Sequence, residues 1–274
     1  MKITGKTKLT GIFGWPIEHT LSPSMHNAAF ASLSLDFCYI PFLVSPNLLE
    51  DAVKAIKALN IRGINVTIPH KERVIQYIDE VDREAAFIGA VNTIVNAEGR
   101  LIGYNTDGRG FMQSLAEKAI EPRGKDILII GAGGAARAVG HSLVQKSKSL
   151  SLFGRTKDKV ERLVHDLNRI KNNVSSCNNL SEVRRYHIII NATPLGLNQE
   201  DPLPLDTASL HSGQIVYDLL YKKTRLLEDA SQRGCVTVSG IGMLLWQGVL
   251  AFELWTGRKP EVDVMRNALL QAIK

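Results

Sequence analysis

Asp126-Ile127-Leu128-Ile129-Ile130-Gly131-Ala132-Gly133-Gly134-Ala135-Ala136-Arg137-Ala138 carries a short apolar run into a glycine turn that opens a helix-forming segment. The spacing is G-x-G-x-x-A. Gly131 permits the tight turn, Gly133 lets the backbone approach a pyrophosphate, and the small Ala136 lets the helix pack near the strand. The N–H groups of the helix's first turn attract the anion. The stretch predicts the first strand-to-helix turn of a dinucleotide-binding domain, although such a turn can also be purely structural. In the NAD-binding form of the motif an Asp or Glu stands about twenty residues further on and accepts the ribose hydroxyls. This chain has Ser151-Leu152-Phe153-Gly154-Arg155-Thr156-Lys157-Asp158-Lys159 instead. A carboxylate there would repel a 2′-phosphate. The Arg155 guanidinium can stack on adenine or take phosphate oxygens through its planar fork, with Thr156 and Lys159 completing a basic pocket. The predicted cofactor is therefore NADP.

Outward from this turn, short β-rich runs alternate with helical patterns, as in a parallel sheet with crossovers. Strands are predicted at 126–130, 150–153, 174–177, 186–191, 215–218 and 236–238, with helices at about 135–146, 157–169 and 224–233. Together they predict a Rossmann domain. The earlier part of the chain alternates in the same way without a glycine fingerprint: strands at 10–13, 38–44, 63–67 and 93–95, helices at 24–33, 48–59 and 70–77. The C-terminal segments 243–255 and 262–273 are helical with no strand partner. The fold predicted is two α/β domains. A substrate-binding domain with an open, mostly parallel sheet spans 1–104 and is completed by C-terminal helices 242–274 that return to it; an NADP-binding Rossmann domain spans 105–241.

Composition bounds the partners. The chain has 274 residues, 45% hydrophobic and 22% charged, which is a globular composition with room for two domains. Its 33 Lys and Arg against 27 Asp and Glu give a net charge of +6, which suits anionic small molecules. The basic residues are scattered and the aromatics do not interleave with them, so nucleic acid is not an expected partner. Cys38, Cys177 and Cys235 form no CxxC or Cys–His spacing, so neither a disulfide framework nor a metal site is expected, and the compartment expected is the cytoplasm. No membrane segment or signal peptide is expected either.

Polar clusters gather at the predicted strand ends, where open α/β sheets bind ligands. Asn65-Val66-Thr67-Ile68-Pro69-His70-Lys71-Glu72 places Lys71 as a candidate acid/base, with Asn65 and Thr67 able to orient a substrate hydroxyl. Gly89-Ala90-Val91-Asn92-Thr93 is followed by Gly103-Tyr104-Asn105-Thr106-Asp107-Gly108. Asp107 can pair with Lys71 as a dyad, or Asn105, Asp107 and Gly108 can be turn formers; spacing leaves both readings open. In His19-Thr20-Leu21-Ser22-Pro23-Ser24, Ser24 is a candidate N-cap, which leaves Thr20 and Ser22 free to bind a carboxylate. Asn191-Ala192-Thr193-Pro194-Leu195-Gly196 suits a loop under a nicotinamide ring. Gly240-Ile241-Gly242 turns into an apolar helix whose early polar side chain is Gln247.

These clusters, in this order, resemble the shikimate dehydrogenase family from about Gly11 to the C-terminus. The motifs are the His-Ser-x-Ser-Pro loop (here His19 to Pro23), Asn-Val-Thr-x-Pro-x-Lys (Asn65 to Lys71), Gly-Ala-Val-Asn-Thr (Gly89 to Thr93) and Asn-Thr-Asp-Gly (Asn105 to Gly108). The glycine turn, Asn-Ala-Thr-Pro-Leu-Gly and the Gly-x-x-Met-Leu…Gln helix complete the set. The resemblance implies NADP-dependent, reversible reduction of 3-dehydroshikimate to shikimate, a step of chorismate and aromatic amino-acid biosynthesis, by a monomer or homodimer. It implies that Lys71 and Asp107 form the catalytic pair and that Thr20 and Ser22 hold the substrate carboxylate. Asn65, Thr67, Asn92, Tyr221 and Gln247 would hold ring hydroxyls. Gly131, Ala132, Gly133, Gly134 and Ala135 would cradle the pyrophosphate, and Arg155, Thr156 and Lys159 the adenosine phosphate. Asn191, Thr193, Leu219 and Gly240 would lie near the nicotinamide. Two departures stand out: Thr20 replaces the family's usual Ser, which bears on the choice between shikimate and quinate, and Gly154 stands where Asn is common. The alternatives are a quinate/shikimate dehydrogenase of broader specificity and a catalytically silent NADP-binding regulator.

Overall fold

The computed structural model describes residues 3–273. The chain divides into two compact units, one holding the residues up to 110 together with those from 245 onward, the other holding 111–244. In the first unit the order is β1 (Lys8–Gly14), α1 (Ser22–Ser32), β2 (Phe37–Leu43), α2 (Leu49–Ala58), β3 (Gly63–Val66), β4 (Glu80–Val81), α3 (Arg83–Ile88), β5 (Thr93–Ala97), β6 (Arg100–Tyr104) and the start of α4 (Asp107–Glu117). Its sheet runs β2-β1-β3-β5-β6-β4, with β1 parallel to β2 and β3, β4 parallel to β6, and β5 antiparallel to both neighbours. The parallel half is what the alternation predicts. The antiparallel half arises because β5 and β6 form a hairpin through Glu98 and Gly99, both at positive φ (53° and 91°). Such turns favour Asn-Gly or Asp-Gly, so Glu-Gly gives only a faint sequence signal, and β6 was not predicted.

Phe13, Leu49, Val53, Ile56, Ile64, Val66 and Val74 form one buried cluster of this unit. A second is aromatic and includes residues that return from the C-terminal helix α8 (Ile241–Thr256), which is followed by α9 (Val262–Ala272) against α1. Trp255 Nε1 donates to the Ile94 carbonyl at 3.0 Å, and the Trp255 carbonyl accepts from Arg62 Nε at 2.9 Å, so the helix is pinned to β3 and β5 by its last turn.

The second unit follows the prediction closely: β7 (Asp126–Ile130), α5 (Gly134–Val144), β8 (Ser149–Phe153), α6 (Lys157–Asn168), β9 (Val174–Ser176), β10 (Ile188–Asn191), β11 (Ile215–Asp218), α7 (Arg225–Gln232) and β12 (Val236–Ser239). All pairs are parallel in the order β12-β11-β10-β7-β8-β9, the doubly wound arrangement of a Rossmann domain. The central strand β10 is buried along its length, as expected where helices cover both faces of a parallel sheet.

The units divide at 110/111 and 244/245, inside α4 and α8, and Asn105, Thr106 and Asp107 group with the first unit. Two expectations need correction. The helix expected over 70–77 is only a 3-10 turn, Arg73–Tyr77, because the Lys71 carbonyl is taken by the Val91 N–H at 2.8 Å and cannot feed a helical ladder. Ser24 does not cap α1; the helix begins at Ser22, and Ser24 is an exposed residue within it. Asp107 opens α4, whose glycine-rich start hides the helix from propensity.

His26 of α1 is fully buried, stacked on Tyr39 with centroids 4.4 Å apart and 9° between planes, and among the described residues neither ring nitrogen has a hydrogen-bond partner. Burial holds its pKa down to about 3, against about 6.5 for a free histidine. Between those values the unfolded chain binds a proton that the folded chain refuses. This group therefore withdraws stability as pH falls from about 6.5 towards 3, at about 1.4 kcal/mol per pH unit. The expected outcome is that His26→Leu flattens the pH dependence of urea-unfolding stability by that amount between about pH 6.5 and 4.5. Parallel slopes for the two proteins would show that the folded chain accepts the proton.

Candidate active site

In the first unit the polar residues converge on one ion pair. Lys71 follows β3, and its carbonyl is anchored by Val91 N–H; its Nζ lies 2.6 Å from Asp107 Oδ2, with the side chains 21% and 6% exposed. Asp107 opens α4, where Asn105 Oδ1 accepts from the Asp107 N–H at 3.0 Å and Asn105 Nδ2 donates to the Ala90 carbonyl at 2.9 Å. The turn-former reading and the dyad reading thus both hold a part: Asn105 caps the helix, and the helix presents the carboxylate. The other carboxylate oxygen, Oδ1, accepts from Asn92 Nδ2 at 2.8 Å.

Asn92 is committed inside the protein. Its Nδ2 also donates to Thr106 Oγ1 at 2.9 Å, and its Oδ1 accepts from the Thr106 N–H at 2.8 Å and from Thr93 Oγ1 at 3.0 Å. Its first task is therefore to orient Asp107. Asn65, on β3, donates through Nδ2 to the Asn92 carbonyl and to Thr93 Oγ1, both at 3.1 Å. Gln247 is brought beside this group by a close helix crossing: a Cβ on Gly110 would stand 2.7 Å from the Gln247 nitrogen, so α4 and α8 meet only because residue 110 is glycine. Thr106 Oγ1 lies 3.1 Å from the Gln247 carbonyl. Ser22 is buried in the first turn of α1, a turn with no acidic residue, and Thr20 Oγ1 accepts from the Ser22 N–H at 3.4 Å. Thr67 is half-buried one residue beyond β3.

The second unit holds the remaining predicted residues. Gly131 sits at φ +125°, and a Cβ there would lie 2.9 Å from the Ala192 carbonyl oxygen, so the turn after β7 admits only glycine. Gly133 precedes α5 with no side-chain cap; a Cβ there would meet nothing within 4 Å, and Gly134, Ala135 and Ala136 add no acid to the first turn. The helix start is therefore open to an anion. Arg155, Thr156 and Lys159 lie exposed between the end of β8 and the first turn of α6, and neither cation has an acidic partner among the described residues.

Around the loop after β10, Asn191 Oδ1 accepts from the Thr193 N–H at 3.1 Å and Oγ1 at 2.7 Å, while Asn191 Nδ2 donates to Asp218 Oδ1 at 3.1 Å. Asp218 also accepts from the Leu220 N–H at 3.1 Å and Thr224 Oγ1 at 2.7 Å. Burial pushes its carboxyl pKa up, against these hydrogen bonds. Leu219 and Gly240 are packed so closely that a Cβ on Gly240 would overlap the Leu219 carbonyl, and Tyr221 is half-buried just beyond. Asp218 organises this group and was missed; its signal was a single carboxylate closing the apolar run Ile215-Val216-Tyr217. Thr93 and Thr106 were quoted within motifs but given no task, and Tyr39 carried no local signal at all. Among the described residues no cluster of His, Cys, Asp or Glu could hold a metal ion, and no helix is long and apolar enough to cross a membrane.

Three family models match this chain: the shikimate dehydrogenase substrate binding domain over residues 12–94, shikimate/quinate 5-dehydrogenase over 114–196 and the shikimate 5′-dehydrogenase C-terminal domain over 240–270. The curated shikimate dehydrogenase (NADP(+)) of Carboxydothermus hydrogenoformans is 47% identical over 277 residues, covering 98% of this chain and 99% of its own. A crystal structure of a shikimate dehydrogenase in complex with NADP+ matches with a TM-score of 0.93 at 40% identity, covering 100% of this chain and 98% of its own. That of the Thermus thermophilus shikimate 5-dehydrogenase, in complex with NADP(H) and shikimate, gives 0.89 at 35%, covering 97% and 100%. Identity at this level, along the whole chain and across both units, goes beyond a shared fold, and the chain belongs to the shikimate dehydrogenase family.

Proposed function

We propose that this chain is an NADP-dependent shikimate dehydrogenase that reversibly reduces 3-dehydroshikimate to shikimate. The observation that carries the reading is the Lys71–Asp107 pair at 2.6 Å, assembled and oriented by Asn92 in a chain whose relatives are named for this activity. When bound, NADP supplies or receives the hydride. Lys71 handles the proton: one of its three N–H groups is committed to Asp107, and another can be given to the oxygen of the C3 ketone as negative charge develops there. In the reverse direction the neutral amine takes that proton back. Asp107 holds the amine in place and balances the ammonium charge, and Asn92 prevents the carboxylate from rotating.

The open first turn of α5 and the exposed Arg155 and Lys159 fit a pyrophosphate and a 2′-phosphate, which supports NADP. The start of α1, with Thr20 and Ser22 and no acid in its first turn, fits a carboxylate. Asn65, Thr67, Asn92, Gln247 and Tyr221 are the proposed contacts to ring hydroxyls. All these groups come from one chain, so the reading holds for a monomer or a homodimer. The free thiols Cys38, Cys177 and Cys235 support a reducing cytoplasm.

The direct test follows reduced-cofactor absorbance with shikimate and with quinate, each with NADP and with NAD. Turnover of shikimate with NADP is expected; quinate turnover would point to the broader enzyme and to Thr20, and silence in all four would point to a regulator. Lys71→Ala is expected to lower kcat by roughly 10²- to 10⁴-fold while changing substrate binding far less; near-normal turnover would remove Lys71 from the proton transfer. Arg155→Ala is expected to raise the KM for NADP on the order of tenfold and to leave that for NAD nearly unchanged. Equal effects on both cofactors would refute the 2′-phosphate assignment.

A further inference from the structure

Tyr39 lies on β2, an edge strand, yet it is only 2% exposed. The ring is sandwiched by His26, 4.4 Å between centroids, with Trp255 at 5.9 Å. The phenol proton is donated to Asn65 Oδ1 at 2.8 Å.

The hydrogen-bond count at Asn65 gives this a consequence. A primary amide has two N–H donors and one oxygen with two lone pairs. Both donors of Asn65 are committed, to the Asn92 carbonyl and to Thr93 Oγ1, and one lone pair is taken by Tyr39. What is left is a single acceptor site on Oδ1, so Asn65 can meet a ligand hydroxyl only by accepting from it. The Asn92 carbonyl, which can only accept, requires the NH2 group on its side, and the Tyr39 phenol holds the amide from its oxygen end by donating to it. From Asn65 the same network runs through Thr93 and Asn92 to Asp107.

We propose that Tyr39 is a positioning residue for substrate: its buried phenol is a strut that steadies the Asn65 amide and keeps its oxygen as the acceptor of a ring hydroxyl. The proposal rests on the reading of this chain as a shikimate dehydrogenase. Tyr39→Phe tests it, because the ring and its stacking on His26 are kept while the strut is cut. The KM for shikimate is expected to rise on the order of tenfold, about 1.4 kcal/mol, with kcat and the KM for NADP each within about twofold of wild type. KM does not depend on the fraction of active protein, so partial unfolding cannot produce this split. In an Asn65→Ala background the same change is expected to add no further rise, since Tyr39 would act through the missing amide. An unchanged KM for shikimate, a parallel rise in both KM values, or an equal further rise in the Asn65→Ala background would each overturn the proposal. Wild-type protein that turned over no shikimate would overturn the reading of function and the proposal with it, whereas active wild type beside an unaffected variant would overturn the proposal alone.

Discussion

The contact between Lys71 and Asp107 sets the demands that the rest of the first unit meets. Two opposite charges held largely away from water attract strongly only if both are aimed and their remaining valences are satisfied; otherwise the loss of hydration outweighs the gain. Asp107 is nearly buried, and each of its oxygens has one assigned partner, Lys71 on Oδ2 and Asn92 on Oδ1. The partners come from separate elements: Lys71 from the segment after β3, Asn92 from just before β5, Asp107 from the first turn of α4. They meet because β3, β5 and β6 are neighbours in the sheet, and because at the end of the antiparallel β5–β6 hairpin the Asn92 N–H donates to the carbonyl of Tyr104, three positions before the carboxylate.

A network of this kind has little slack. Every amide in it has a fixed orientation, since turning Asn65 over would set its oxygen against the Asn92 carbonyl and turning Asn92 over would set its oxygen against the Asp107 carboxylate. That rigidity is what the proton transfer proposed for Lys71 requires, because small misplacements of the amine are costly in rate. The same rigidity explains the surrounding choices of small residues, such as Gly110 where α8 approaches α4. The second unit solves a different problem. Its groups need to bind rather than react, and they are built from backbone: an open helix start after β7, and loops after β10 and β11 that Asp218 ties together. All lie at the carboxyl ends of parallel strands, where successive crossovers leave their turns on one edge of the sheet.

The second unit was the more legible in sequence, for a physical reason. Its strands are buried on both faces and therefore read as unbroken apolar runs, its helices alternate with them at regular intervals, and its turn is marked by Gly131, which no side chain could replace at φ +125°. The first unit was less legible where it departs from parallel order. Its hairpin turn carries Glu98 at a positive φ, its helix α4 has glycines at 108 and 110 within its first four residues, and the Lys71 carbonyl accepts from Val91 in the segment before β5.

The chain by itself determined which chemical groups are present and where they stand along it: a lysine and an aspartate after strand ends, hydroxyls before a helix, a glycine turn followed by an arginine and not an acid. These are local matters, settled by side-chain type, backbone freedom and periodicity. Tertiary structure alone decided which of them are joined. Lys71 and Asp107 are 36 positions apart, Tyr39 and Asn65 are 26 apart, and Asn191 and Asp218 are 27 apart. No spacing rule links such pairs, because their meeting depends on strand order and on buried polar groups finding every partner they need, which only the packed chain can supply.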